Sequence, residues 1–187
     1  MRRVRYSVAC SLDGFIAGPN GEHDWIIMDP SIDFAAFFAS IDTVLLGRRT
    51  FEVARRQGSG GGMPGMEAIV CSRTLRPADY PGVTIRDDAV ATVTDLKARA
   101  GKDIWLMGGG DLFRSLLAAH LIDAIEVAIV PVLLGAGISL LPGPFAQFNL
   151  QLTSSKALES GVLLLTYEPA SAAPKKRRAK TASKRSG

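Results

Sequence analysis

Short apolar runs alternate with helix-patterned stretches along residues 4–129, and this alternation narrows the possible folds more than any other feature of the chain. Residues 4–10, 43–46, 68–71, 83–85 and 104–107 read as strands, and Ile125, Val127 and Ile129 alternate with more polar or smaller neighbours as a further strand. Helix patterns fall between them. Ser31 is placed to cap a helix with Phe34, Phe37, Phe38 and Ile41 on one stripe, and Thr50 to cap one that ends with Arg55 and Arg56 before Gly58. Asp87 and Asp88 open a third, with Ala89, Val93, Leu96 and Ala100 at helical spacing, and residues 111–120 form a fourth. Such a strand–helix–strand order predicts an α/β fold with a mostly parallel central sheet and helices on both faces. The end of the chain differs. Phe148, Leu150 and Leu152 alternate with Asn149, Gln151 and Thr153, and residues 162–167 answer them across Glu159-Ser160-Gly161, which predicts an antiparallel C-terminal hairpin.

A chain of 187 residues with 47% hydrophobic content suits one domain with a real core. We place that domain at residues 1–169. The formal charge of +4 points toward nucleic acid until its distribution is followed. Seven of the 22 basic residues follow Pro174 with no acid among them, so the preceding body carries 15 cations against 18 anions, a net of −3. Residues 170–187 are therefore expected to be a disordered basic tail, able at most to touch nucleic acid non-specifically. The two cysteines, Cys10 and Cys71, lie in apolar stretches and demand no oxidising compartment. No C-x-x-C or histidine cluster suggests a metal. No window of about 20 apolar residues is available to span a membrane, and Asp13 breaks the N-terminal apolar run, so a cytoplasmic protein is expected.

Three strand ends carry suggestive chemistry, and ligands in open α/β sheets bind at the carboxyl ends of the strands. Gly47-Arg48-Arg49-Thr50 joins a buried strand to a helix, offering backbone N–H groups, a hydroxyl and two guanidinium groups to an anion. Ser72-Arg73 follows the strand ending at Cys71 and suits a 2′-phosphate. Gly108-Gly109-Gly110 opens another helix and lets a pyrophosphate approach the backbone with no Cβ in the way. It is not a G-x-G-x-x-G fingerprint.

In this order, strand–GRRTFE–helix, strand–CSRT and strand–MGGG–helix resemble the dihydrofolate reductase-like superfamily. The closer likeness is to stand-alone proteins built like the reductase domain of the bifunctional riboflavin deaminase–reductase. Ser11-Leu-Asp-Gly-Phe-Ile-Ala-Gly18, Asp24-Trp25 and Pro131-Val-Leu-Leu-Gly-Ala-Gly137 carry the likeness further, over about residues 4–168. The resemblance implies an NADPH-dependent reductase, acting on a carbonyl or imine of a small heterocycle such as a ribosylamino-pyrimidine phosphate, or alternatively on dihydrofolate. A non-catalytic nucleotide-binding protein with a nucleic-acid-contacting tail is a third reading. By the same resemblance Gly47, Arg48, Arg49 and Thr50 meet the NADPH phosphates, and Ser72 and Arg73 the 2′-phosphate. Gly108, Gly109, Gly110 and Leu112 lie under the pyrophosphate and nicotinamide ribose, while Ala9 and Ile16 flank the nicotinamide. Trp25 and Phe37 fall on the substrate side, and Asp33, four residues before Phe37, is the catalytic carboxylate, with Asp29 its rival. Related domains pair as homodimers. The chain lacks the His-x-Glu and Pro-Cys-x-x-Cys signature of the deaminase.

Overall fold

The computed structural model describes residues 1–58 and 63–170. The expected tail beyond residue 170, and the centre of the glycine-rich stretch 58–65, lie outside the described residues. Among the described residues ten strands form: β1 (Val4–Ser11), β2 (Phe15–Ala17), β3 (Ile41–Gly47), β4 (Glu67–Cys71), β5 (Thr84–Arg86), β6 (Asp103–Gly108), β7 (Ala124–Val130), β8 (Ile138–Ser139), β9 (Leu150–Ala157) and β10 (Leu163–Pro169). Four α-helices join them: α1 (Phe34–Ala39), α2 (Arg48–Arg56), α3 (Ala89–Ala98) and α4 (Gly110–Ala118). The main sheet has the order β5-β4-β3-β6-β1-β7-β10-β9. Its first six strands are parallel, and β10 runs antiparallel to both β7 and β9. The mostly parallel sheet and closing hairpin are those the pattern predicts. The small β2–β8 pair was not foreseen, because two or three residues are too few to show a period.

Alternation along the strands divides the core. On one face Val4, Tyr6, Ile104 and Leu106 pack under Val93 and Leu96 of α3 and Leu112, Phe113 and Leu116 of α4. On the other, Val44 and Leu46 pack with Phe51 of α2, and Trp105 and Met107 join them. Phe37 of α1 meets Trp105 edge-on on that same face, with ring centroids 5.3 Å apart. Helices thus cover both faces. Among the described residues, no helix is long and apolar enough to cross a membrane.

Two helix starts differ from expectation. α1 is capped by Asp33, whose carboxylate accepts the Ala36 N–H at 2.8 Å, while Ser31 turns instead to Asp29. The helix is only six residues long, and Ile41 belongs to β3, where it is buried. α2 begins at Arg48, directly off the strand, with Gly47 at the cap position and Thr50 one turn inside. Gly47 has no side chain to satisfy the first-turn N–H groups, so they remain available to something else.

Candidate functional site

The three strand ends singled out by sequence are neighbours in space. β4, β3 and β6 are consecutive in the sheet, with Gly47 beside Cys71 and Leu46 beside Gly108. The approach is close because the residues are small. A methyl group on Gly47 would stand 3.3 Å from the Gly109 nitrogen and 3.7 Å from Leu112 Cβ. One on Gly108 would stand 3.5 Å, and one on Gly109 3.4 Å, from the Thr50 hydroxyl. Gly47, Thr50, Gly108, Gly109 and Leu112 therefore form one cradle, in which the Gly108–Gly109 peptide is cis. Gly110 is different: a methyl there would meet Pro142 Cδ at 2.6 Å and the Ser139 carbonyl at 2.9 Å, so packing alone requires glycine. Leu112 is buried and works as core under the cradle.

The cations stand around it. Arg48 is half-exposed and pairs with Glu52 at 3.3 Å, one turn along α2. Arg49 and Arg73 are exposed and, among the described residues, make neither a hydrogen bond nor an ion pair. Ser72 is buried, and its hydroxyl accepts the N–H groups of Thr74 at 3.2 Å and Leu75 at 3.1 Å. Its own N–H donates to the Arg86 carbonyl at 2.7 Å. Ser72 thus shapes the loop that presents Arg73. The neighbouring Cys71 thiol is pushed up to about 12 by burial, reinforced by Asp88, and is no nucleophile at neutral pH.

A second group of residues gathers at the centre of the sheet. Ala9 of β1 pairs with Ala128 of β7, and both pack with Trp25, Ile32 and Leu164 around buried Val130, Leu158 and Val162. Two small side chains therefore stand in register on this face of the sheet. Ile16 is half-buried on β2, which packs beside β1. Phe37 faces inward from α1 and covers the Arg5 guanidinium at 5.0 Å as well as Trp105.

The carboxylates differ in what they are free to do. Asp33 is exposed and spends one oxygen on the α1 cap. Asp29 is buried and accepts both the N–H and the hydroxyl of Ser31, at 2.8 and 2.6 Å. Ser160 also closes on it, although its hydroxyl sits off hydrogen-bonding geometry and has no partner of its own. Ser160 and Ser31 together hold the Asp29 carboxyl down to about 2, so it ties the loop to the β9–β10 turn and holds no proton at neutral pH. Asp13 accepts the Ser11 hydroxyl at 2.6 Å and the Gly135 N–H at 2.7 Å, which lowers its pKa and clasps the loop after β1 to the loop after β7. It is the turn residue that Leu-Asp-Gly suggests.

Sequence reading missed the Arg5–Ser7–Glu126 cluster. These side chains share a face with Ala9 and Ala128, but Glu126 lies 119 residues from Ser7 and 121 from Arg5 along the chain, and only the β1–β7 register brings them together. Among the described residues, no group of three or more His, Cys, Asp or Glu side chains could hold a metal.

This sheet order, with a glycine cradle at adjacent strand ends, defines the dihydrofolate reductase-like fold. The dihydrofolate reductase of Enterococcus faecalis, solved with NADP(H), superposes with a TM-score of 0.66 at 17% identity, over 90% of this chain and 97% of that one. A Shewanella sp. PV-4 protein matches with a TM-score of 0.77 at 24% identity, covering 91% of this chain and all of its own. The deaminase/5-amino-6-(5-phosphoribosylamino)uracil reductase of Thermotoga maritima matches with a TM-score of 0.66 at 18% identity, over 90% of this chain and 57% of that one. Within the fold, the RibD C-terminal domain model matches residues 2–164. The YyaP protein of Bacillus subtilis is 36% identical over 177 residues, covering 89% of this chain and 94% of its own length. The chain belongs to the RibD C-terminal domain family, a family of reductase-like domains.

Proposed function

We propose that this protein is an NADPH-dependent reductase that transfers hydride to a carbonyl or imine carbon of a small heterocycle, of the ribosylamino-pyrimidine type. The observation that carries this reading is the adjacency of the three strand ends. The cradle fits a dinucleotide diphosphate: it lacks Cβ atoms where the backbones approach, it has uncapped N–H groups at α2, and it has two exposed cations without partners. Bound NADPH would supply the hydride from nicotinamide C4. The chain's part is to hold that ring and the substrate in near-attack geometry, which accounts for most of the rate in such a reaction. Arg49 and Thr50 would hold the diphosphate, Arg73 the 2′-phosphate, and Ala9, Ile16 and Trp25 the nicotinamide and substrate rings. Asp33, through its exposed carboxyl, is the proposed source of the proton taken up by the substrate oxygen or nitrogen. Because asparagine caps a helix as well as aspartate does, Asp33→Asn should keep the fold and slow turnover.

The test is NADPH oxidation, followed at 340 nm, against ribosylamino-pyrimidine phosphates, dihydropterins and small carbonyls. Turnover of the pyrimidine alone is expected. Turnover of dihydrofolate alone would replace this reading with dihydrofolate reductase activity.

We also propose that two copies pair through the β9 end of the sheet. All eight residues of β9 are exposed, one of its edges has no partner strand, and Leu150 and Leu152 are 41% and 49% exposed. Light scattering should give a dimer that Leu152→Lys converts to monomer.

A further inference from the structure

The pairing of β1 with β7 continues beyond Ala9 and Ala128. Two residues back along the same strands, and therefore about 6.7 Å away on the same face, Ser7 pairs with Glu126. The Glu126 carboxylate is fixed from three directions. Arg5 Nε donates to Oε1 at 2.9 Å, Arg5 Nη2 donates to Oε2 at 3.1 Å, and the Ser7 hydroxyl donates to Oε2. Arg5 is itself held, by Ser40 Oγ at 2.8 Å and by the Phe37 ring over its guanidinium. The Trp105 indole N–H donates to the Ser7 carbonyl at 3.0 Å and sets the strand beneath. A carboxylate offers about four acceptor sites, and these donors fill three. The second site on Oε1 meets no other donor among the described residues, and the Glu126 side chain is 24% exposed.

We infer that Glu126 is the residue that recognises the substrate ring, accepting an N–H from an amino-bearing nitrogen heterocycle whose reacting edge lies over Ala9 and Ala128. The recognising carboxylate thus sits on β7, held by Arg5 and Ser7, and is separate from Asp33 on α1. Its fixed geometry matters, because a preoriented acceptor selects rings with a donor at that position and leaves a donorless ring with nothing to pair. The inference rests on the reductase reading for its substrate class, but it can be tested by binding alone.

The probe is 2,4-diaminopyrimidine, with 2,4-dimethoxypyrimidine as the ring that lacks N–H donors, each titrated into the full-length protein with and without NADPH. Wild type should bind the diamino ring and not the dimethoxy ring. Glu126→Gln should weaken the diamino ring about tenfold or more, the loss of one charge-assisted hydrogen bond, and leave NADPH binding unchanged. Because Glu126→Gln removes the nearer of Arg5's two counter-charges and leaves Asp103 at 3.7 Å, a second measurement uses wild type with 13C-glutamate labelling. The Glu126 carboxyl signal, identified by its absence in Glu126→Asp, should move on adding the probe. Equal binding of the two rings, equal binding by a folded Glu126→Gln protein, or an unmoved carboxyl signal would overturn the inference. Failure of wild type to bind NADPH would overturn the reductase reading, whatever the probe does.

Discussion

The strand-end cradle and the paired face of β1 and β7 are built from different materials. At the β3, β4 and β6 ends the site is mostly backbone: Gly47, Gly108 and Gly109 owe their closeness to absent side chains, and α2 starts without a cap. Around Ala9 and Ala128 it is side chain: Phe37, Arg5, Ser7 and Glu126, from three separate stretches, hold each other by stacking and hydrogen bonds, and Trp25 packs with Ala9 and Ala128 on the Val130–Leu158–Val162 cluster. A backbone cradle suits a ligand part that many enzymes share, the dinucleotide phosphates. A side-chain floor can change one residue at a time, and it is where members of a reductase family can differ in substrate. The proposed cofactor half is therefore the more general, and the proposed substrate half the more particular to this chain.

That contrast can be broken most sharply at Gly47. In Gly47→Val the added carbons point at the Gly109 nitrogen and fill the cradle. NADPH affinity should fall about a hundredfold, the equivalent of two charge-assisted hydrogen bonds, and probe binding over Glu126 should persist. Calorimetric titration of both ligands would show whether the halves are separable. Gly110 gives the control within the same glycine run. Gly110→Ala meets Pro142 and Ser139 rather than ligand space, so it should cost about 1–3 kcal/mol of stability by overpacking. Denaturant unfolding reads that cost, and a variant as stable as wild type would show that this loop yields easily.

A smaller effect is expected from Asp29, the lock on the substrate-side loop. Its carboxyl is held down to about 2 in the folded protein against 3.8 when free. A depressed folded pKa stabilises above the unfolded value, and the gain disappears as pH falls through the folded one. Asp29→Asn should therefore melt below wild type at pH 7. The gap should narrow as pH drops below 3.8 and close near 2. Parallel melting curves across that range would mean that the carboxylate is not the tie.

The same division explains what could be read from sequence. The parallel order, the closing hairpin and the cofactor junctions are local signals, each a few contiguous residues such as GRRT or MGGG. The helix starts were misplaced by two residues at α1 and three at α2; Ser31 and Asp33 are both good caps, and only the fold decides which carbonyls and N–H groups lie within reach. Glu126 was invisible because its meaning depends on register. It faces Ser7 across β1 and β7, and a shift of one residue would have turned it to the other side of the sheet. Asp29 stands as a rival to Asp33 by spacing alone, and the β9–β10 turn, more than a hundred residues on, closing over its carboxylate is not visible in that spacing.

We propose that the glycine cradle and its exposed arginines form an NADPH site. The most direct measurement compares NADPH and NADH binding to wild type and Arg73→Ala by titration calorimetry. Arg73 is exposed and unpaired among the described residues, so its removal leaves the fold alone. The account predicts that NADPH loses about ten- to a hundredfold in affinity, one guanidinium–phosphate contact, while NADH is unchanged. Equal loss for both nucleotides, or no loss for either, would contradict it.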